Sequence, residues 1–301
     1  MRIGIIGIGD IAKKAYLPVM TRKKNLEIIL CSRNEELLKD LMNSYRGIHY
    51  VTSVKTLIES GVKAAFIHAA TSAHYGICKE LLDNGIHVYV DKPISYKIEE
   101  TRELYELAKK NNLILRVGFN RRKAPLIADM KKLKKPDVVI YQKNRVDLPA
   151  DIREYIYDDF IHVVDSIRYL LGEDIENFLV KGKVVNNLLY SVTLQVISRN
   201  GTAIGIMNRE SGKTEERIEF ICPGEKRIVE DLNNLTVYKD GIEIRQKFGD
   251  WEPVLYRRGF EQITDTFLED VTEQDRFLEK DEDSLKTHEL CELIVEQLSV
   301  K

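Results

Sequence analysis

Short apolar runs alternate with helical patterns through the first third of the chain. Residues 3–6, 26–31, 64–68, 87–90 and 114–118 predict strands, the last counted as the sixth of its sheet. Helices are expected from about Asp10, then over 35–45, 74–84 and 98–111. Leu37, Leu38 and Leu41 fall on one face of the second, and Gly85 suits the end of the third. Pro18 should end or kink the first helix early. This alternation predicts βαβ units around a parallel sheet.

After Gly118 the rhythm changes. A helix is expected over 125–133, a strand over 138–144, and a helix over 159–171 that stops at Gly172. Strand patterns follow at 190–198, 203–208, 217–222, 226–231, 235–238 and 242–246. Asn200-Gly201 and Asp240-Gly241 mark hairpin turns. Val192, Leu194 and Val196 alternate with Ser191, Thr193 and Gln195, which allows one buried face. Helices return over 260–271 and 283–298. The expected class is α/β: a doubly wound parallel sheet in 1–122, then an α+β domain on a largely antiparallel sheet in 123–301.

Composition narrows the function classes. A chain of 301 residues suits two domains, and 44% hydrophobic with 31% charged residues suits globular cores. The net charge of −2 comes without a long basic run, so nucleic acid is not an expected partner. Lys131-Lys132 and Lys134-Lys135 read as a solvated face. Cys31, Cys78, Cys222 and Cys291 form no CxxC pair, which argues against a metal site or a disulfide framework. Met1-Arg2 leads directly into 3–7 without a signal-peptide pattern, and no apolar run reaches transmembrane length. A cytoplasmic protein without a membrane partner is expected.

Gly7-Ile8-Gly9-Asp10-Ile11-Ala12 is GxGxxA between a strand and a helix. The first glycine permits a tight turn, the second lets backbone approach a pyrophosphate, and Ala12 lets helix pack on sheet. Such a turn within successive βαβ units predicts a Rossmann domain that binds a nicotinamide dinucleotide. The second strand ends in Ser32-Arg33 rather than a carboxylate. A hydroxyl and a guanidinium suit a 2′-phosphate, so NADP is expected over NAD, which stays open.

Further motifs follow in order. Thr71-Ser72-Ala73-His74, Val90-Asp91-Lys92-Pro93, Gly118-Phe119-Asn120-Arg121-Arg122 and Asp158-Asp159-Phe160-Ile161-His162-Val163-Val164-Asp165 occur in this chain. Together with the glycine turn they resemble the NxxH, EKP, GFNRR and DxGxHxxD segments of the Gfo/Idh/MocA family. With Trp251 and Arg258-Gly259-Phe260, the chain is similar to that family's MviM-like branch. Asp91 stands where the family has Glu, and Phe160 where it has Gly, which alters the space near the substrate.

The resemblance implies a sugar-like small-molecule substrate and a homo-oligomer built through the second sheet. Lys92 ends a strand at the carboxyl edge of the sheet, where it would orient a substrate oxygen and stabilise charge on it. A cis Lys92–Pro93 bond is an option there. Asp158 and His162 are four apart, one helical turn, and by resemblance form the substrate-binding and proton-transfer pair. Either Asp158 or Asp165 would orient His162. Thr71, His74, Asp91 and Lys92 are expected at the cofactor, Asn120, Arg121 and Asp165 at the substrate with Asp158 and His162, and His68 and His87 in the core. Two other classes remain: a silent dinucleotide sensor, and an enzyme that recycles tightly held NAD(P) within one turnover.

Overall fold

A computed structural model describes residues 1–45, 47–273 and 282–300. The chain divides into two compact units, Met1–Gly118 with Phe260–Lys286, and Phe119–Gly259 with Thr287–Lys301. This division is not contiguous, in contrast to the expected break at 122/123. The segment that begins at Phe260 returns to the first unit, because its apolar face has aromatic partners there.

The first unit holds strands β1 (Arg2–Ile6), β2 (Glu27–Cys31), β3 (Ile48–Val51), β4 (Ala64–Ile67), β5 (His87–Val90) and β6 (Leu115–Val117). They are parallel, in the order β3-β2-β1-β4-β5-β6. That is the doubly wound dinucleotide-binding order, with its switch point beside β1. Strand β3 is the member that the apolar pattern did not reveal. The helices are α1 (Leu17–Met20), α2 (Glu35–Ser44), α3 (Val54–Glu59), α4 (Thr71–Asp83) and α5 (Ile98–Lys110). A π-helical turn, Ala12–Tyr16, precedes α1 and brings Pro18 into the new helix's first turn, where its missing N–H costs little.

The second unit opens with a 3-10 turn, Asn120–Lys123, and α6 (Pro125–Met130). Its strands are β7 (Val138–Asn144), β8 (Ala150–Asp151), β9 (Ile175–Val185), β10 (Leu188–Ser198), β11 (Thr202–Asn208), β12 (Glu215–Cys222), β13 (Glu225–Glu230), β14 (Asn234–Lys239) and β15 (Ile242–Lys247). The order is β15-β14-β13-β12-β7-β11-β10-β8, with β9 also on β10. Every pair is antiparallel except β7 with β11. Between β8 and β9 run α7 (Ile152–Glu154), a π-helical turn Tyr155–Phe160, and α8 (Ile161–Leu171). Gly172, at φ +65°, ends this stretch, as expected.

Helices α9 (Val254–Arg257), α10 (Phe260–Glu273) and α11 (Asp283–Ser299) complete the chain. In the first unit, Phe267 of α10 meets Phe66 and Tyr89 edge-on at 5.1 and 5.5 Å. In the second, α8 lies on β11, where Gly205 leaves room for Val163 and for the Phe160 ring. Phe160 is therefore core, packed on the sheet. Val192, Leu194 and Val196 are buried on that same inner face. Among the described residues no helix is long and apolar enough to cross a membrane.

Candidate functional site

The carboxyl edge of the first sheet gathers the ends of β1, β2, β4, β5 and β6. Gly7 has φ +82°, and a Cβ there would lie 2.4 Å from the Ala69 nitrogen. Its own fold therefore requires glycine. Gly9 differs: a Cβ would meet only the His68 carbonyl, at 3.9 Å. The protein leaves that space open at a helix N-terminus, which fits the approach of a pyrophosphate. Asp10 is exposed and pairs with Lys14 at 2.6 Å, while Ile11 shows 40% of its surface beside the turn.

At the end of β2, the Ser32 hydroxyl accepts from the Asn34 N–H at 3.2 Å, and Asn34 caps α2. Arg33 is exposed and makes no ion pair among the described residues. Glu35, its acidic neighbour, is engaged by Lys39 and Tyr50. The guanidinium is thus available to an anion.

Thr71 opens α4, half-buried. Lys92 is half-exposed at the end of β5, and the Lys92–Pro93 bond is cis. Two expectations at this edge are corrected. His74 is 1% exposed, with Nδ1 2.8 Å from the Pro93 carbonyl and Nε2 2.9 Å from the Ala69 carbonyl. Burial lowers the imidazole's pKa, so its single N–H donates to one of these carbonyls, and the ring is packed between two loops in place of being presented to a ligand. The Asp91 carboxylate also turns inward, because its short side chain lies within reach of internal donors. It is 2.8 Å from His68 Nδ1 and accepts from the Tyr16 hydroxyl at 3.4 Å. Tyr16 stacks on His68 at 4.0 Å and shares a 2.7 Å hydrogen bond with Tyr89. Burial pushes both phenols well above their ordinary range, so they stay neutral. A Cβ on Gly118 would press on all three oxygens. His68 and His87 are core residues, as expected.

A cleft of this unit, lined by Met1, Lys63, Asn84, Gly85 and His87, lies at the sheet's amino edge, away from the glycine turn.

In the second unit, Asp158 and His162 lie on consecutive turns, Asp158 in the π-helical segment and His162 second in α8. Between residues 155 and 168 every side chain except Asp158 is buried. Asp158 is where this helix opens to solvent, one turn before the buried imidazole of His162. Three further expectations are corrected here. Asn120 donates to the Arg258 carbonyl at 2.7 Å, holding a loop. Arg121 is buried in a bidentate pair with Glu216, at 2.6 and 3.0 Å, with the Tyr141 hydroxyl beside it. Asp165 does not orient His162: it accepts from Arg122 at 3.0 and 2.9 Å and from Thr287 at 3.1 Å. Burial satisfied by strong internal partners leaves these groups nothing for a substrate.

The same layer contains residues that sequence reasoning missed. Asp159 accepts from Lys143, from Arg145 at 2.9 and 3.2 Å, and pairs with Arg209 at 3.4 Å. Burial works to raise the Glu216 carboxyl, but the Arg121 guanidinium pulls it down to about 2. Burial and the charge of Arg121 bring the Lys143 ammonium down to about 7 in spite of Asp159. One signal was legible: Lys143 falls in phase with Val139 and Tyr141 on the inner face of β7. Among the described residues no group of three or more His, Cys, Asp or Glu is placed to hold a metal.

The family model described as "Oxidoreductase family, NAD-binding Rossmann fold" matches residues 1–119, and "YceM-like, C-terminal domain" matches 125–240. YceM of Salmonella typhimurium, named as an oxidoreductase, is 31% identical over 91% of this chain and 90% of its own. The chain belongs to the Gfo/Idh/MocA oxidoreductase family. A solved dehydrogenase (MviM) from Clostridium difficile superposes with TM-score 0.93 at 30% identity, covering 99% of each chain. The scyllo-inositol 2-dehydrogenase (NAD(+)) of Bacillus subtilis is 32% identical over 62% of this chain and 58% of its own. Gfo/Idh/MocA membership thus rests on both units.

Proposed function

We propose that this protein is an NAD(P)-dependent oxidoreductase acting on a sugar-like or polyol hydroxyl, or on the matching carbonyl, with NADP preferred. The observation that carries the reading is the open space over Gly9, on the sheet edge that also ends in Lys92. The similarity to an inositol dehydrogenase supports a polyol substrate. When bound, the nicotinamide supplies the hydride acceptor or donor.

The chain's own residues do the rest. Gly7, Gly9, Asp10 and Ile11 supply the turn and helix start that hold a pyrophosphate, with Thr71 at a neighbouring helix start. Ser32 and Arg33 take the 2′-phosphate. Lys92 orients the substrate oxygen and stabilises its negative charge. His162 moves the hydroxyl proton, and Asp158, half-exposed one turn away, binds substrate beside it.

The outer face of the second sheet carries Ile140, Ile204, Ile206, Ile221 and Ile228, of which Ile204, Ile140 and Ile228 share one row across β11, β7, Glu219 of β12 and β13. We assign it to a homo-oligomer; sedimentation of a clean monomer at micromolar concentration would contradict this. The test of function is a panel of sugars, polyols and their phosphates, followed by absorbance of the reduced nicotinamide. Net cofactor reduction by a polyol or sugar is expected. Dinucleotide binding without turnover on any member would instead indicate a sensor, and turnover without net reduction a recycled cofactor.

A further inference from the structure

Asp158 and Asp159 are neighbours on one turn, yet one is half-exposed and the other buried. Their directions are locked together. The turn they share is π-helical: the Ile161 N–H reaches the Ile156 carbonyl, five residues back. Such an insertion needs outside support, and π turns cluster at functional sites. Here the support comes from the sheet beneath. Lys143 and Arg145 at the end of β7 and Arg209 just past β11 all converge on the Asp159 carboxylate. Arg209 also covers the Tyr155 ring at 4.4 Å, and the Tyr155 hydroxyl donates to the Met207 carbonyl at 3.0 Å. Both ends of the turn are thereby tied to the end of β11, and the Asp159 end to β7 as well.

We infer that Asp159 is a positioning residue, clamped by Lys143, Arg145 and Arg209 so that the π turn presents Asp158 and His162 in one fixed orientation. This rests on the proposed roles of Asp158 and His162. Three cations around one carboxylate hold its direction more tightly than a single pair does, and because the Asp159 carboxylate cannot rotate outward, its neighbour Asp158 is held facing out. Lys143, brought to about 7, is the member best able to relieve the excess positive charge.

The test compares Asp159→Asn, Arg145→Gln and Asp158→Asn, assayed as full chains on a substrate found in the panel. A displacement of about 1 Å at a reacting group costs up to about 10²-fold. Asp159→Asn should therefore lower kcat by about 10–10²-fold, with KM and dinucleotide affinity unchanged. Arg145→Gln should lower it less, and both should move the His162 ring resonances in nitrogen-15 NMR without substrate. Removing Asp159 leaves buried cations unmatched. If that variant fails to fold, Arg145→Gln, whose side chain is a third exposed, decides the matter. Folded variants with wild-type kcat and unmoved His162 resonances overturn the inference, even if their melting temperatures fall. Asp158→Asn separates the two ideas. Full turnover in Asp158→Asn overturns the underlying reading, whereas an impaired Asp158→Asn beside a fully active Asp159→Asn overturns the positioning role alone.

Discussion

The carboxyl edge of the first sheet and the helix-backed face of the second handle polarity in opposite ways. At the first, the features that matter are backbone ones: a positive-φ glycine, an open helix start, an exposed Arg33 without an ion pair among the described residues. At the second, charged side chains are buried and matched, as in Arg121 with Glu216, Arg122 with Asp165, and Asp159 with its three cations. The difference teaches where a ligand can still be received. An edge with open space and an exposed guanidinium can take one up, whereas a satisfied network gives stability and direction to the groups at its border, here the half-exposed Asp158.

The largest effect expected from this contrast is catalytic. Lys92→Met and His162→Asn should each lower turnover by about 10²–10⁴-fold, the usual worth of a positioned acid–base group. Dinucleotide affinity should stay within a few-fold, as titration would check. Near-normal turnover in His162→Asn would reassign the proton transfer to Lys92.

A stability effect should come next, from the matched network. Arg121→Met leaves Glu216 buried and unpaired, which should cost about 3–5 kcal/mol near neutral pH by denaturant unfolding. The pH dependence has a definite sign. Glu216 is depressed in the folded protein to about 2 from an ordinary 4.5, so its pairing stabilises fully above that ordinary value. That stability is lost as pH falls through the folded value. The deficit of Arg121→Met should therefore shrink on acidification, because protonation relieves the unpaired carboxylate. Overlapping curves at pH 7 would show the pair to be dispensable.

The smallest effect concerns the first edge. Arg33→Ala should reduce the preference for NADP over NAD by about tenfold, close to one charge-assisted hydrogen bond of about 1.5 kcal/mol. An unchanged ratio, or a wild type that prefers NAD, would remove Arg33 from the 2′-phosphate.

The same contrast explains what could be read from the chain. Gly7, Gly9 and Lys92 carry local signals: a turn between strand and helix, and a strand end. The doubly wound sheet and the hairpin-rich second sheet followed from alternation alone. Strand β3 escaped because His49 breaks a four-residue run with one buried position. Strand β9 escaped because it is half-exposed along its length, with Lys181, Gly182 and Lys183 inside it. The site residues misjudged were those whose partners are remote in sequence. Asn120 bonds to Arg258, Arg121 to Glu216, and Asp165 to Arg122 and Thr287, 138, 95, 43 and 122 positions away. Nothing local in a polar residue announces such a partner. His74 was misjudged because the two carbonyls beside it lie on different loops.

The central claim is that the glycine turn holds a nicotinamide dinucleotide, and the most direct measurement compares Gly9→Ala with the wild type. A Cβ on Gly9 meets nothing closer than 3.9 Å within the protein, so the free variant should melt with the wild type. Calorimetric titration with NADP and NAD should show binding to the wild type and a severe loss in Gly9→Ala. Gly7→Ala, strained by its φ and by Ala69, should be destabilised even without a dinucleotide. A wild type that binds neither dinucleotide, or a Gly9→Ala protein that binds as well as the wild type, would contradict the account.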